Sequence, residues 1–308
     1  MDNKIEVIGI DHGWSGMKTV HEVFTSGCKE ISTEPAFTEN LLEFGGKYYK
    51  IGSRRLEVRD TKVTDEIYYM LTLAAVAKEL KIRGKKTAHV LLAVGLPLTR
   101  FGDEKKDFVS YLSKKKEVSF AFEKEKYHIF IENVCVYPQC YAAVIDRIDK
   151  FPEKQLVVDI GSWTVDIMPI INHLPDESVC VTQPHGIITC IQQINKECVR
   201  QLNAEVDEYD IQKVMVNGGG DLPEKYQEII IKEIRDYCRQ IYHNIRELGY
   251  NMDLTQIIFV GGGAGVMKRF GSLEQRNIQY IEDVKANAKG YEMLGNAYLA
   301  QAQKRKIG

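Results

Sequence analysis

Short apolar runs that stop at an aspartate or a glycine recur along this chain, and they predict its layout. Ile5 to Ile10 is such a run, ending in Asp11-His12-Gly13, which is the pattern of a buried strand delivering a polar turn at its carboxyl end. Val20 to Phe24 and Lys47 to Ile51 read as two more strands around a loop-like stretch with Pro35, Gly45 and Gly46, which suggests an antiparallel edge. From Asp65 to about Leu80 the apolar positions Ile67, Met70, Leu71, Ala74, Ala75 and Val76 form a helical stripe that should pack on a sheet and stop near Gly84. His89 to Val94 is another strand, ending in Gly95-Leu96-Pro97-Leu98, and Asp103 to Lys116 reads as a surface helix. Val118 to Phe122 and Tyr127 to Ile131 alternate around the polar turn Glu123 to Lys126, as a hairpin does, and Ala142 to Ile148 continues as a short helix.

The pattern breaks at Phe151-Pro152-Glu153-Lys154 and restarts with the apolar strand Leu156 to Val158, which again ends in Asp-x-Gly. A domain boundary is expected there. Helices are predicted from about Gly186 to Leu202 and from Pro223 to Leu248, the second with Tyr226, Ile230, Ile234, Cys238, Ile241 and Ile245 inward. Ile257 to Val260 is a strand feeding Gly261-Gly262-Gly263, and a helix from about Lys289 to Ala302 closes the chain. The triple Gly218-Gly219-Gly220 reads as a loop before the long helix.

Length and composition narrow the class. At 308 residues, 44% hydrophobic and 27% charged, the chain is an ordinary globular protein, large enough for two domains that share a ligand cleft. Its 41 Lys and Arg nearly cancel 43 Asp and Glu, leaving a net charge of -2, so no global basic bias argues for direct nucleic-acid binding. The run Lys114-Lys115-Lys116 reads as a solvated helix face. Cys28, Cys135, Cys140, Cys180, Cys190, Cys198 and Cys238 form an odd set without metal spacing, as expected of reduced thiols in the cytoplasm. The start of the chain has no signal-type apolar region, and no segment approaches about 18 uninterrupted apolar residues, so neither secretion nor membrane spanning is expected. The seven histidines show no metal spacing, and no G-x-S-x-G elbow occurs.

The chemistry concentrates in a repetition. Ile8-Gly9-Ile10-Asp11-His12-Gly13 and Val157-Val158-Asp159-Ile160-Gly161 are both strand-Asp-x-Gly units, and each is followed by hydroxyls: Ser15 in one, Ser162 and Thr164 in the other. A glycine after a strand lets backbone N–H groups approach phosphate oxygens, while the aspartate can hold the water shell of a phosphate-bound Mg ion. Lys18 adds a cation for terminal phosphates. Ile257 to Ala264 has the strand-then-glycine form suited to a base and ribose lying against backbone, and Val266 at the last glycine position disfavours a dinucleotide fingerprint.

In this order the motifs resemble those of the actin, heat-shock chaperone and sugar-kinase ATPase superfamily, and most of all its ParM/StbA plasmid-segregation branch. Asp11-His12-Gly13-Trp14-Ser15-Gly16-Met17-Lys18 is similar to the first phosphate motif, Asp159-Ile160-Gly161-Ser162-Trp163-Thr164-Val165-Asp166 to the second, and Val260 to Ala264 to the adenosine motif. Gly95-Leu96-Pro97-Leu98 and Ala286-Asn287-Ala288-Lys289-Gly290-Tyr291 also resemble segments of ParM-like proteins. The resemblance implies an α/β, two-lobed actin-like (ribonuclease H-like) ATPase fold with the nucleotide cleft between its lobes. The expected division is residues 1–153 for domain I, 154–290 for domain II, and 291–308 as a C-terminal helix returning to domain I. It implies binding of ATP, or GTP in its place, with Mg held by Asp11 and Asp159 through water. Catalysis would rest on Gln139, Asp159 and Asp11, and nucleotide contacts on Gly13, Trp14, Ser15, Lys18, Gly161, Ser162, Trp163, Thr164, Gly261, Gly262, Gly263 and Ala264.

Two departures qualify the expectation. Where ParM-like proteins place a Glu after a Pro, this chain reads Tyr137-Pro138-Gln139, and a glutamine can orient a water but cannot take its proton, so hydrolysis is expected to be slow. Trp163 is bulkier than the residue usual at its position. The implied function is a filament that assembles head to tail with ATP and moves plasmid or mobile-element DNA through a small DNA-binding adaptor. A small-molecule kinase of the same fold and a nucleotide-sensing scaffold without turnover are the alternatives.

Overall fold

The computed structural model describes residues 4–53, 55, 62, 63, 65–272 and 275–307. Met1 to Asn3, at the start read for a signal, and Gly308, the last residue of the expected C-terminal segment, lie outside the described residues. The chain divides into two compact units: the first comprises Met1–Asp146 and Lys285–Gly308, the second Arg147–Val284.

The first unit begins with β1 (Ile5–His12), β2 (Gly16–Lys18), β3 (Val23–Thr25), β4 (Cys28–Ile31), β5 (Leu41–Phe44) and β6 (Lys47–Ile51). Next come α1 (Ile67–Ile82), β7 (Thr87–Leu96), α2 (Leu98–Leu112), β8 (Glu117–Phe122), β9 (Glu125–Pro138) and α3 (Tyr141–Val144). Among the described residues the strands form one sheet in the order β3-β2-β1-β7-β9-β8-β5-β6-β4, with β1, β7 and β9 mutually parallel at its centre. Parallel central strands are buried on both faces, which is why β1 and β7 read as continuous apolar runs. Ile8, Ile10, Val90, Leu92 and Val94 point into the larger core with α1, whereas Val7, Leu91 and Ala93 point to the other face. The helical stripe read for α1 is too narrow: Tyr68, Tyr69 and Leu73 are buried as well as the stripe, so the helix is enclosed nearly all round. The expected Val20 to Phe24 strand is instead the short β3, the partner of β2.

Two boundaries differ for local reasons. The β8–β9 turn consists of Glu123 and Lys124 alone, both at positive φ (+51° and +68°), without the Asn-Gly signal that usually marks such a turn. Glu123 is held there by bonds that its carboxylate accepts from the Asn40 backbone and from Lys81, each 2.9 Å. The helix expected to reach Ile148 changes to a tighter 3₁₀ turn at Ile145.

The second unit contains β10 (Lys154–Ile160), β11 (Val165–Ile171), β12 (Leu174–Pro175), β13 (Val181–Gln183), α4 (Ile187–Leu202), α5 (Glu208–Asn217), α6 (Glu224–Glu247), β14 (Ile257–Val260), α7 (Ala264–Phe270) and β15 (Ile278–Tyr280). Its sheet runs β12-β11-β10-β14-β15, with β13 also on β11. The helices α4 and α6 lay Ile191, Ile194, Ile230, Ile234, Cys238, Ile241 and Ile245 against Leu156, Val158, Ile160, Ile257 and Phe259. Each such large side chain contributes about 1.5–3 kcal/mol on burial, so this core outweighs any surface ion pair in the unit. Gly218-Gly219-Gly220 is a loop as expected, and Gly218 (φ +81°) caps α5.

The last helix, α8 (Ala286–Ile307), belongs to the first unit and covers the second face of its sheet. The two segments read as ParM-like meet here: Gly95 on β7 leaves room for the Tyr291 ring, and Gly290 lies directly on the backbone of Ala142, so a side chain at either glycine would collide. An ionic cluster ties β1, α1 and α8 together. Arg83 donates to Glu6 (3.1 Å), to the Val7 carbonyl (2.8 Å), to Glu79 (3.3 Å) and to Glu292 (2.8 Å). Glu79 is fully buried; burial alone would raise its pKa, but hydrogen bonds from Thr19 and His21 prevail and hold it below the usual carboxylate range.

Replacing Glu79 by Ala should therefore cost about 2–3 kcal/mol in chemical denaturation at neutral pH, since Arg83 keeps two of its carboxylates. Folded Glu79 binds its proton less readily than the unfolded chain does. Its contribution is complete above the ordinary glutamate pKa and fades as pH falls below it, so the gap between wild type and variant should close below about pH 4.

Candidate functional site

In the first unit the predicted residues gather at the end of β1. The β1–β2 hairpin pairs Asp11 with Lys18 and His12 with Met17, leaving Gly13-Trp14-Ser15 as the turn. Lys18 donates to one oxygen of the buried Asp11 carboxylate at 3.0 Å, and Gln139, at the end of β9, points its amide nitrogen at the other at 3.5 Å. The backbone seats Gln139, whose N–H donates to the Leu96 carbonyl at 2.9 Å. Parallel pairing of β1, β7 and β9 thus brings three distant segments to one sheet edge. Gly13 sits close above this cluster, where a Cβ would lie 2.7 Å from the Lys18 ammonium. The Ser15 hydroxyl is buried and has no hydrogen-bond partner among the described residues. The Trp14 ring packs edge-on against Tyr68, with centroids 5.6 Å apart.

In the second unit β10 turns into β11 through Gly161-Ser162-Trp163-Thr164, closed by Gly161 N–H donating to the Thr164 carbonyl at 2.9 Å. The start of α4 is laced onto this turn, with the amides of Ile188 and Gly186 donating to the carbonyls of Ser162 (2.9 Å) and Trp163 (3.0 Å). On its other side β10 pairs in parallel with β14, Asp159 opposite Val260, and this sets the glycine triple beside the aspartate. Gly261 (φ +82°) has its Cα against the Asp159 carboxylate, so a side chain there would meet the carboxylate oxygen. Gly263 donates to the Ile160 carbonyl at 2.9 Å, Gly262 faces open space, and Ala264 starts α7. The Trp163 indole nitrogen is buried without a hydrogen-bond partner among the described residues.

The two sites are built on one plan. In each, a buried aspartate near the end of a strand is paired across a tight hairpin with the residue seven positions later, and the same strand has a parallel neighbour on its far side. The cross-strand partner is a cation, Lys18, in the first unit and a carboxylate, Asp166, in the second. Asp166 was missed from sequence as a site-shaping residue: it accepts from Thr164 (3.2 Å) and Thr182 (2.5 Å), which fixes the far wall of the turn. The repeated seven-residue spacing was the signal that could have found it. His12, one of the histidines read as carrying no metal spacing, is a core residue. Its ring is wholly buried against Phe108 and accepts from or donates to Thr72 at 2.9 Å; burial first, then the charge of Lys62, lowers its pKa to about 3, so it is neutral and structural. Ile160 fills the equivalent place in the second unit, fully buried.

Both turns fit a polyphosphate. They offer glycine backbone at close range, buried donors without partners (Ser15, Trp163) and one cation (Lys18). Among the described residues no three His, Cys, Asp or Glu side chains gather into a metal-binding group. A Mg ion would accordingly be held by few carboxylates and by water, the habit of Mg that arrives with a nucleotide.

Residues 9–141 match the family model described as "Actin like proteins N terminal domain". This segment is similar to the N-terminal domain of actin-like proteins. The actin-like fold extends over the whole chain. An archaeal actin homolog, Ta0583, superposes with a TM-score of 0.77 at 20% identity, covering 96% of this chain and 100% of that one. The Alp12 filament structure gives 0.71 at 17% identity, covering 95% and 98%. Bacillus thuringiensis ParM with AMPPNP gives 0.72 at 13% identity, covering 96% and 99%. No curated protein matches the chain by sequence. Among the described residues no helix is long and apolar enough to cross a membrane.

Gly261→Ala should destabilise the protein by about 1–3 kcal/mol in thermal or chemical denaturation, because it forces an alanine to positive φ and into the Asp159 carboxylate. Gly262→Ala, which meets open space, should stay within about 0.5 kcal/mol of wild type.

Proposed function

We propose that the chain binds Mg-ATP through its aspartate turns, hydrolyses it slowly, and polymerises into filaments in a nucleotide-dependent way. The observation that carries this reading is the duplicated hairpin, Asp11 over Lys18 and Asp159 beside Gly261. Two such turns supply backbone donors, a cation and two carboxylates, as a magnesium triphosphate requires. When bound, the metal would neutralise charge on the phosphates, with Asp11 and Asp159 holding its water shell. Lys18 would neutralise the terminal phosphates, Gly161 to Thr164 would offer backbone donors, and Gly261 to Ala264 would lie under the base and ribose. Gln139, aimed at Asp11, would orient an attacking water without taking its proton, which makes turnover slow.

The filament reading is supported by likeness to a protein solved as a filament, and the nucleotide reading by likeness to ParM solved with AMPPNP. A net charge of -2 suits a cytoplasmic protein that reaches plasmid or mobile-element DNA through a basic adaptor and not by its own surface.

Sedimentation of the purified protein should yield a pellet with Mg-ATP and little without nucleotide, and a parallel series with GTP ranks the two nucleotides. Protein that stays monomeric at high concentration in every nucleotide state would refute polymerisation. Asp159→Ala should lower phosphate release by at least about 100-fold while the protein remains folded; normal turnover in that variant would refute the site assignment.

A further inference from the structure

The two units carry opposite net charge. The first holds 27 Lys and Arg against 22 Asp and Glu, the second 14 against 21, so a nearly neutral chain is split into a basic part and an acidic part. Copies of such a chain attract one another in a fixed sense, the basic unit of one toward the acidic unit of the next.

Each unit also presents an apolar feature that is only partly covered; in the second, Lys213 lies 4.5 Å over the Tyr209 ring. In the first, β5 pairs with β8 only through Leu42 with Phe122 and Glu43 with Ala121, then turns back into β6 through Gly45 and Gly46, both at positive φ. The outer edge of β8 before Ala121 has no strand beside it among the described residues, and a cleft of about 450 Å³ opens there. Its floor is aromatic, with Phe120 and Tyr127 stacked at 5.6 Å between centroids and Phe44 alongside. Lys86, ion-paired with Glu125, and Lys126 line it, Glu43 is the carboxylate among its lining residues, and Lys115 lies 4.7 Å over the Phe44 ring. In the second unit α5 buries Ile211, Val214 and Met215 but leaves Tyr209 and Val216 each 64% exposed. These two are seven residues apart, hence on one side of the helix two turns from each other. Acids surround its start: Glu205, Asp207, Glu208 and Asp210, against Lys213 alone.

We propose that the basic, aromatic-floored cleft beside β8 receives the acidic outer face of α5 from a second copy of this chain, with Tyr209 as the side chain that enters it. The proposal rests on the polymerisation reading and names its surfaces. The contact uses different patches on the two partners, so it repeats head to tail instead of closing a two-fold dimer, as the filament reading requires. Charge sets the direction of approach, and burial of the tyrosine supplies the contact energy.

The test is a charge exchange in the full chain, read by sedimentation with Mg-ATP. One variant carries Lys86→Glu and Lys126→Glu, a second carries Glu205→Lys and Asp210→Lys, and Tyr209→Ala is the third; circular dichroism melts confirm that each is folded and phosphate release confirms the nucleotide site. Each variant alone should raise the critical concentration by about tenfold or more, and the wild type should pellet less as salt rises from about 0.1 to 0.5 M. Mixing the two charge-reversed variants should restore the pellet, because the reversed surface of one then complements that of the other. Folded variants that assemble like wild type, or a mixture that fails to assemble, overturn these surfaces while leaving the filament reading intact. A wild type that never pellets overturns both.

Discussion

A carboxylate buried at the end of a strand is costly unless something in its immediate surroundings accommodates the charge, and this constraint organises both units. In the first unit Asp11 is balanced by Lys18 directly across the hairpin and touched by Gln139. In the second, Asp159 lies against a glycine whose absent side chain leaves the oxygen room, with the neighbouring carboxylate Asp166 stabilised by two threonine hydroxyls. The same backbone plan therefore places a cation, Lys18, opposite the first aspartate and a second carboxylate, Asp166, opposite the other.

Much of the fold was legible because the strands that matter are buried on both faces. Ile5 to Ile10, His89 to Val94, Leu156 to Val158 and Ile257 to Val260 read as continuous apolar runs, and each is a central strand. The long helix α6 was legible because its inward residues keep a helical period over more than five turns. The edges were not legible. β2 and β3 have three residues each, too few for a period, and β11 begins inside the phosphate-like motif, where Asp166 and Pro169 mask its apolar pattern. Helix α5 was hidden by Glu208, Asp210 and Lys213 and by two apolar residues on its solvent side.

The site was legible as a list of residue types and hardly at all as a geometry. Sequence pointed to Asp159 and to Gly261 separately, but their contact follows from the parallel register of β10 and β14, which no local pattern encodes. The same holds for Gln139 and Asp11, 128 residues apart. The lysine run is exposed, as read, and two of its side chains also lie over aromatic rings, Lys114 at 4.0 Å over Tyr69 and Lys115 over Phe44.

The placement of α8 has a bearing on how the protein is made. Val7, Leu91 and Ala93 pack with Tyr291 and Ala142, so this face of the first-synthesised sheet lacks much of its cover until α8 has been made. The intervening stretch, Arg147 to Val284, has its own core. Maturation thus runs against the order of translation: the later-made unit can complete itself first, and the earlier-made one must wait, exposing apolar strands that invite chaperone capture during the interval.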